Sequence, residues 1–176
     1  MNMRTKIIPA LFIFALSFSG LAFAQEEGWL YATAVSEAKA GNFEFSFLHL
    51  HSLISSYPKS KYLENALFAI GEYHFKDNNF ADAADSFSEL LEKFPDSQST
   101  VFALVYLLKI AQARQVENLP ANLEKAIATF HKISLVFKNF KEFTYSSAFR
   151  NKYKAVYYID KVELYKDDEL FARVNY

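Results

Sequence analysis

The chain has 176 residues, of which 52% are apolar and 18% aromatic, so it is long and apolar enough to fold around one hydrophobic core. Its net charge of −1 lacks the basic excess typical of nucleic-acid-binding proteins, so we expect no nucleic-acid partner. The absence of cysteine excludes disulfides, thiolate catalysis and cysteine metal ligands from this sequence.

The first 24 residues have the pattern of a secretory signal peptide. A basic start at Arg4 and Lys6 precedes an apolar run over residues 7–20, and Ala22-Phe23-Ala24 offers a small-x-small cleavage site. We therefore predict an exported protein, cleaved after Ala24. The alternative is a retained membrane anchor, which the proline, serines and glycine within the run disfavour. A lipoprotein would need a cysteine after this run, so we expect no lipid anchor and membrane association only through a partner.

Two pairs of helical patterns follow, and each pair predicts a helical hairpin. The first covers about residues 28–60 and the second about residues 64–97. In each pair the second helix ends at an aromatic residue followed by proline, at Pro58 and Pro95, where the helix cannot continue. A shift of 37 residues superposes the two pairs, so the sequence contains an internal repeat.

A third pair, ending near residue 138, keeps this register only in part. Its first helix, over residues 101–113, follows the shift of 37, but its second, over residues 123–137, needs a shift of 43. The larger shift places Ala126 and Phe130 at packed positions. The additional residues fall within 115–122, a loop that either carries a contact or has drifted in length.

The remaining segment predicts one more helix over residues 146–165, which would cap the exposed end of a stack. We assign residues 25–140 to the repeats and 141–176 to this capping helix and a tail. Tyrosine is frequent here, and its ring and hydroxyl suit either a half-buried cap or a protein interface. The predicted packed side comprises Ala148, Phe149, Tyr153, Val156 and Tyr157.

The second pair resembles a tetratricopeptide (TPR) repeat. Such a repeat needs small residues where its helices cross, here Gly71 and Ala83, and a large residue beyond the crossing, here Phe87. The resemblance implies an all-α fold, an α-solenoid of about three TPR-like helical hairpins with a C-terminal capping helix. The positions that carry it are Leu67, Ile70, Gly71, Ala83, Phe87 and Pro95.

No pattern beyond residue 24 indicates catalysis, a metal or a cofactor. The HExxH helix, the glycine-rich phosphate loop, the GxSxG elbow and the GxGxxG turn do not occur. His49 and His51 are two residues apart, so on a helix they point about 200° from one another and are poorly placed to hold one ion. We therefore expect a protein that is not an enzyme and that has no metal site or cofactor.

The resemblance also implies a binding surface, because the first helix of each TPR hairpin lines a concave groove. Its aromatic residues would supply contact area, while Glu72, Lys76 and Lys109 would orient a bound peptide. The alternative is that the rings pack on neighbouring helices. The implied groove residues are Tyr31, Val35, Asn65, Phe68, Glu72, Phe75, Lys76, Phe102, Val105, Lys109 and Gln112.

The period, the proline endings and the export signal together resemble the envelope TPR proteins of Gram-negative bacteria. One such group is the BamD-type lipoproteins of the outer-membrane β-barrel assembly machinery, from which this chain departs by having no cysteine. The other is the periplasmic TPR protein of the Tol-Pal system, from which it departs by having no clear coiled coil. We expect a periplasmic adaptor of the BamD-like type that binds an envelope protein in its groove. The alternatives are a Tol-Pal-type coordinator of the envelope and division, or a cell-wall or small-molecule binding protein.

Overall fold

The computed structural model of the protein describes residues 26–130 and 142–175. The predicted signal peptide and its cleavage site lie outside these residues. The described chain begins with six helices and continues with a four-stranded sheet. The helices are α1 (residues 26–40), α2 (Phe43–Ser56), α3 (Leu63–Lys76), α4 (Phe80–Lys93), α5 (Gln98–Ala113) and α6 (Leu119–Thr129).

The helices pair as hairpins, which confirms the predicted helical repeat. From α2 to α6 each helix contacts the next, and α3 also contacts α5, as expected when one hairpin stacks on another. Helix α1 packs on α2 and α3 through Ala34 and Ala38, which share a buried cluster with Leu50 and Ala66.

The crossing of α3 and α4 is as close as the TPR pattern requires. A Cβ atom added at Gly71 would lie 2.7 Å from the ring carbons Cε1 and Cζ of Phe87, so this position has no room for a side chain. Ala83 and Phe87 are both fully buried. In the first hairpin Ala34, Ser46 and Leu50 stand 37 positions earlier and are fully buried too, as the 37-residue register predicts.

The third hairpin differs in detail from the prediction. Helix α6 begins at Leu119, so Pro120 lies in its first turn rather than in the preceding loop, and Asn118 before it adopts a left-handed conformation with φ of 64°. The fully buried residue of α6 is Ile127, while Ala126 and Phe130 are only partly buried against the core. The helix ends at Thr129; of the predicted span to residue 137, residues 131–137 lie outside the described residues.

The predicted C-terminal capping helix is wrong, because this segment forms an antiparallel sheet. Its strands are paired in the order β1 (Glu142–Ser146), β2 (Lys152–Tyr157), β3 (Lys161–Lys166) and β4 (Glu169–Asn175).

Two local features explain why the segment forms strands. In β2 the residues alternate, with Tyr153, Ala155 and Tyr157 buried and the residues between them more exposed, which is the period of a strand. Asp167 and Asp168 both have positive φ, of 50° and 66°, and connect β3 to β4 as a two-residue turn of the kind that joins hairpin strands.

The sheet covers apolar surface of the helices, which is the role that was expected of the predicted capping helix. Its buried residues Tyr153, Leu164 and Val174 belong to the same apolar cluster as Phe68 of α3 and Phe102 of α5. Helices and sheet therefore share one core, and the sheet lies over the face formed by the first helices of the second and third hairpins.

Candidate functional site

The chain's own sheet occupies most of the predicted groove. Phe68, Phe102 and Val105 are fully buried and Glu72 is 4% exposed, so these four residues do not form an open surface. This corrects the expectation of an open groove and favours the alternative that its rings pack internally.

Aromatic contacts from the strands account for this burial. The ring centroid of Phe68 lies 5.0 Å from that of Tyr145 and 5.3 Å from that of Tyr153. The ring of Phe102 lies 5.0 Å from Tyr153 and 5.7 Å from Phe143. These edge-on and tilted arrangements are the ones that aromatic pairs prefer in a packed core.

The other predicted groove residues divide into engaged and exposed ones. Most are half-buried, whereas Lys76 and Gln112 are exposed. The half-buried ones make internal contacts: Tyr31 stacks on Tyr62, Asn65 accepts a hydrogen bond from the Tyr145 hydroxyl, Phe75 packs against Phe80 and Tyr106, and Lys109 lies over the Phe171 ring. Val35 packs against the core cluster of the first hairpin.

A polar network joins α3 to the sheet around Glu72. One carboxylate oxygen of Glu72, Oε1, accepts hydrogen bonds from the Tyr153 hydroxyl and from Asn151 Nδ2, the latter at 2.7 Å. The Tyr153 and Tyr106 hydroxyls lie 2.7 Å apart, and Lys166 Nζ donates to the Tyr106 hydroxyl at 2.9 Å. Lys166 Nζ also lies 3.9 Å from Glu72 Oε1, so a buried acid and a half-buried base face one another across the network.

Burial controls the protonation of this network. It raises the pKa of Glu72, because a charged carboxylate is poorly solvated there, and the hydrogen bonds from Tyr153 and Asn151 and the charge of Lys166 oppose that rise only in part. Burial likewise raises the pKa of Tyr106 and of Tyr153, and the charge of Glu72 adds to both shifts. The two hydroxyls therefore stay protonated and can donate hydrogen bonds.

A cavity of about 770 Å³ opens beside this network, where the start of α2 and the end of α3 meet the β1–β2 and β3–β4 turns. Phe45 at its rim is 59% exposed, so the cavity is continuous with the outer surface of the first hairpin. The cavity is lined by Gly41, Asn42, Phe43, Glu44, Phe45, Glu72, Tyr73, Phe75, Lys76, Asp77, Tyr106, Phe149, Asn151, Lys166 and Asp167.

The repeat register identifies only part of this site. Glu72, Phe75 and Lys76 follow from the register, but Asn151 and Lys166 do not, since they reach the site only when the last segment forms strands. The turn residues Asp167 and Asp168 were the signal that would have revealed this hairpin.

Within residues 26–130 and 142–175, no cluster of three or more acidic, histidine or cysteine residues has the arrangement of a metal site. Over the same ranges, no helix combines the length and apolar character that crossing a bilayer requires. His49 lies against the Trp29 ring and His51 near Phe47.

A family model described as "outer membrane lipoprotein" (YfiO) matches residues 24–161, which is more than three quarters of the chain. The chain belongs to the YfiO family. No curated protein matches it.

Family membership supports the resemblance to BamD-type TPR proteins without selecting one member, and it places the protein in an envelope family. The YfiO match extends to residue 161 and so spans β1 and β2 of this chain as well as its helices. Although the family is described as lipoproteins, this sequence contains no cysteine, and the expected lack of a lipid anchor stays a prediction.

Proposed function

We propose that the protein is a non-enzymatic periplasmic adaptor that binds another protein of the cell envelope, in the manner of BamD-like assembly proteins. The observation that carries this proposal is the cavity at the rim of the helical stack, open beside exposed aromatic residues while the concave face is filled by the sheet. The binding surface that we propose therefore replaces the groove predicted from the repeat register.

Exposed apolar residues of the first hairpin support a protein partner, and one of them, Phe45, lines the cavity. Trp29 of α1 is 57% exposed, and Phe45 and Leu48 of α2 are 59% and 57% exposed. Aromatic residues are enriched at protein interfaces, and TPR hairpins at the end of a stack have a face that no further repeat covers. We name Trp29, Phe45 and Leu48 the first-hairpin patch.

The buried polar network supports the non-enzymatic part of the proposal. Glu72 accepts hydrogen bonds from Asn151 in the β1–β2 turn and from Tyr153 on β2, so its contacts hold the sheet against α3. A carboxylate used in this way has a structural reason to be buried, and no catalytic role is needed to explain it.

A second function is favoured by the size of the cavity. A volume of about 770 Å³ lies within the range of small-molecule sites, and Glu72, Asn151 and Lys166 converge on it. A small-molecule or cell-wall binding protein would use this cavity alone, whereas an adaptor would use the first-hairpin patch as well.

Photo-crosslinking in intact cells tests the proposal. A benzoylphenylalanine residue at Phe45 should crosslink to one defined envelope protein, identified by mass spectrometry, and the same residue at Glu92, exposed on α4 and remote in sequence from the cavity, should not. A partner captured equally from both positions, or no protein captured from Phe45 or Trp29, would refute the adaptor role.

A further inference from the structure

We propose that the side of β1 that faces away from β2 binds an extended segment of another protein, which adds to the sheet as a further strand. This inference goes beyond the proposed function, because no residue of β1 lines the cavity or belongs to the first-hairpin patch. It defines a second contact surface, whose ligand is the backbone of a strand with alternating polar and apolar side chains.

The backbone groups of β1 divide between the two sides of the strand. Beyond the β1–β2 pairing the register continues to Ser147 and Asn151, where the Ser147 N–H donates to the Asn151 carbonyl at 3.0 Å. Hydrogen-bonded and non-hydrogen-bonded pairs alternate along an antiparallel ladder. Counting back from Ser147 by twos, Tyr145 and Phe143 are the residues of β1 that bond to β2.

The bonds on the far side of β2 agree with this assignment. The Asp167 N–H donates to the Lys152 carbonyl at 2.7 Å, so Lys152 turns its backbone groups towards β3. Its partner Ser146, and with it Thr144 and Glu142, therefore point their N–H and C=O groups away from β2. All three residues are exposed, and in the described part of the chain no further strand pairs with them. We name these backbone groups the β1 edge.

The β1 edge has none of the features that protect the opposite edge of the sheet. The register of β4 shifts between Leu164 and Tyr165 of β3, and β4 carries the charged Arg173. Strand β1 pairs over five consecutive residues without a shift, and its one charged residue, Glu142, is paired with Lys154 of β2 at 2.9 Å. Irregular register and charged side chains keep other strands from pairing with an edge. The β1 edge is therefore the one suited to an added strand.

The start of α3 lies on the side of the β1 edge. The side chain of Asn65, in the first turn of α3, accepts a hydrogen bond from the Tyr145 hydroxyl of β1 at 3.0 Å. Two turns later Glu72 accepts a hydrogen bond from Tyr153 of β2. Helix α3 thus runs from β1 towards β2, so its first residues and the loop before them extend towards the β1 edge.

Aromatic surface is available there for the inward side chains of an added strand. Tyr62 directly precedes α3 and stacks on Tyr31 of α1, with ring centroids 4.4 Å apart, and both residues are half-buried. Phe143 and Tyr145 pack inward on the core, whereas Thr144 between them is exposed. Residues opposite one another in a sheet share a face, so the added strand would turn apolar side chains towards the helices and polar ones to solvent.

The same geometry favours a strand of another protein over a second copy of this chain. Two β1 strands paired antiparallel would be related by a twofold axis perpendicular to the sheet, which places the helices of both copies on the same side. The starts of α3 in the two copies would then compete for the same space. A single extended segment carries no helical layer and avoids this conflict.

Peptides with matched methyl groups test this inference. The probe is acetylated, amidated Lys-Tyr-Lys-Ala-Val-Tyr, the sequence of β2, which already pairs with β1 on its other side. With its tyrosines and alanine towards the helices, its third and fifth N–H groups face the β1 edge, and its fourth and sixth face away. Methylation of the third and fifth backbone nitrogens should weaken binding at least about tenfold, and methylation of the fourth and sixth by no more than about twofold.

The affinities are measured by titration in the NMR spectrum of the protein, where the amide signals of Thr144 and Ser146 should shift on binding of the unmodified peptide. The two methylated peptides have the same composition, so they differ only in which side of the strand can donate hydrogen bonds. Their comparison therefore isolates backbone pairing from side-chain contacts.

Proline substitutions assign the site to β1. Thr144→Pro removes an N–H of the β1 edge and no bond to β2, so the fold should persist while peptide binding weakens at least about tenfold. Asn175→Pro in β4 is the matched control. The N–H of Asn175 also points out of the sheet, since its partner Lys161 bonds to β2 by accepting from the Tyr158 N–H at 2.8 Å. It should change the affinity by no more than about twofold.

The inference is overturned if the unmodified peptide does not bind, if the two methylated peptides bind equally, or if a folded Thr144→Pro variant binds as the native chain does. Should Thr144→Pro disturb folding, the methylated peptides decide, because they are tested on the native chain. Weaker binding by Asn175→Pro alone would place the site on β4 and reject the β1 edge. Dimers of the free chain in sedimentation that Thr144→Pro abolishes would assign the edge to a second copy and likewise reject the proposal.

This inference and the proposed function fail separately. A partner captured at Phe45 without any peptide binding would leave the adaptor role standing and reject the strand site. Peptide binding that depends on Thr144, without any protein captured at Phe45 or Trp29, would support the strand site and reject the adaptor role assigned to the cavity and the first-hairpin patch.

Discussion

At the scale of single residues, the contact between Gly71 and Phe87 is the tightest constraint that the repeat imposes. Gly71→Ala places a Cβ atom 2.7 Å from the Phe87 ring, which is itself stacked on Tyr106 at 4.7 Å and cannot easily move. Overpacking of this kind costs about 1–3 kcal/mol, and we expect that loss in the free energy of unfolding measured with urea.

Gly28→Ala is the matched control for this substitution. Its added Cβ would meet only the Tyr62 hydroxyl, at 3.9 Å, which is an ordinary contact. No loss of stability is expected. If both alanines cost the same, the close crossing of α3 and α4 does not exist as described.

Substitution of Ser46 is expected to raise the free energy of unfolding, whereas Gly71→Ala lowers it. It occupies the place that Ala83 takes in the second hairpin, and its hydroxyl is fully buried without a hydrogen-bond partner. Ser46→Ala removes this unsatisfied group and should stabilise the protein by about 1–3 kcal/mol in urea unfolding. Ser52→Ala, on the exposed side of α2, serves as the control and should be close to neutral. A loss of stability at Ser46 would show that the hydroxyl has a partner.

The close helix crossing could be predicted from the sequence, whereas the partners of Glu72 could not. Gly71, Ala83 and Phe87 stand at fixed helical spacing, and the physical demand of a close crossing acts within one hairpin, so a local pattern reveals it. Glu72 was found in the same way. Its partners Asn151 and Lys166 lie 79 and 94 positions further along the chain, and no local pattern connects them to it.

At the scale of elements, the sheet was missed because the C-terminal segment fits two periods. Residues 155–159 form an unbroken apolar run, which suits a helix or a buried strand equally, and short runs of this kind cannot be assigned by periodicity alone. The β3–β4 turn favours strands. Asp167 and Asp168 adopt positive φ and reverse the chain, so the segments on either side pair as strands and do not form a helix.

An ion cluster links β3 to β4 and makes the sheet sensitive to acid. Glu163 is paired with Arg173 across the strands, at 2.8 Å, and it also accepts hydrogen bonds from Tyr165 and Lys161. The Tyr165 hydroxyl and Lys161 hold the pKa of Glu163 at about 2, below its ordinary value of 4.5, and the charge of Arg173 also lowers it.

Because the pKa of Glu163 is lowered in the folded state, the stability of the fold should depend on pH. The charged Glu163 stabilises the fold above about pH 4.5, and this contribution is lost as the pH falls from there towards 2. The stability difference between the native chain and Glu163→Gln should therefore be largest near neutral pH and fall to a small remainder by about pH 2, measured by urea unfolding across that range.

Glu142→Gln is the control within the same sheet. Its pair with Lys154 is exposed, at 59% and 44% for the two side chains, so solvent screens it and little change is expected at any pH. A Glu163→Gln effect that stays constant from neutral to acidic pH would mean that the Glu163 carboxylate is not the stabilising group.

At the scale of the whole molecule, a helical repeat stack and a sheet share one core. In a solenoid the concave face stays open for partners, but here Phe68 and Phe102 are covered by Tyr145 and Tyr153. The surface that we propose for a partner is the cavity at the first two hairpins together with the first-hairpin patch. No sequence pattern could reveal this shift, since it depends on where the sheet docks.

The docking of the sheet on the concave face is the central claim, and proton–proton cross-peaks in an NMR spectrum with labelled aromatic rings test it most directly. We predict cross-peaks between the ring protons of Phe68 and those of Tyr145 and Tyr153, whose ring centroids lie 5.0 and 5.3 Å from that of Phe68. The claim is contradicted if Phe68 shows cross-peaks to Phe87 and Tyr106 alone, while Tyr145 and Tyr153 contact only other residues of the sheet.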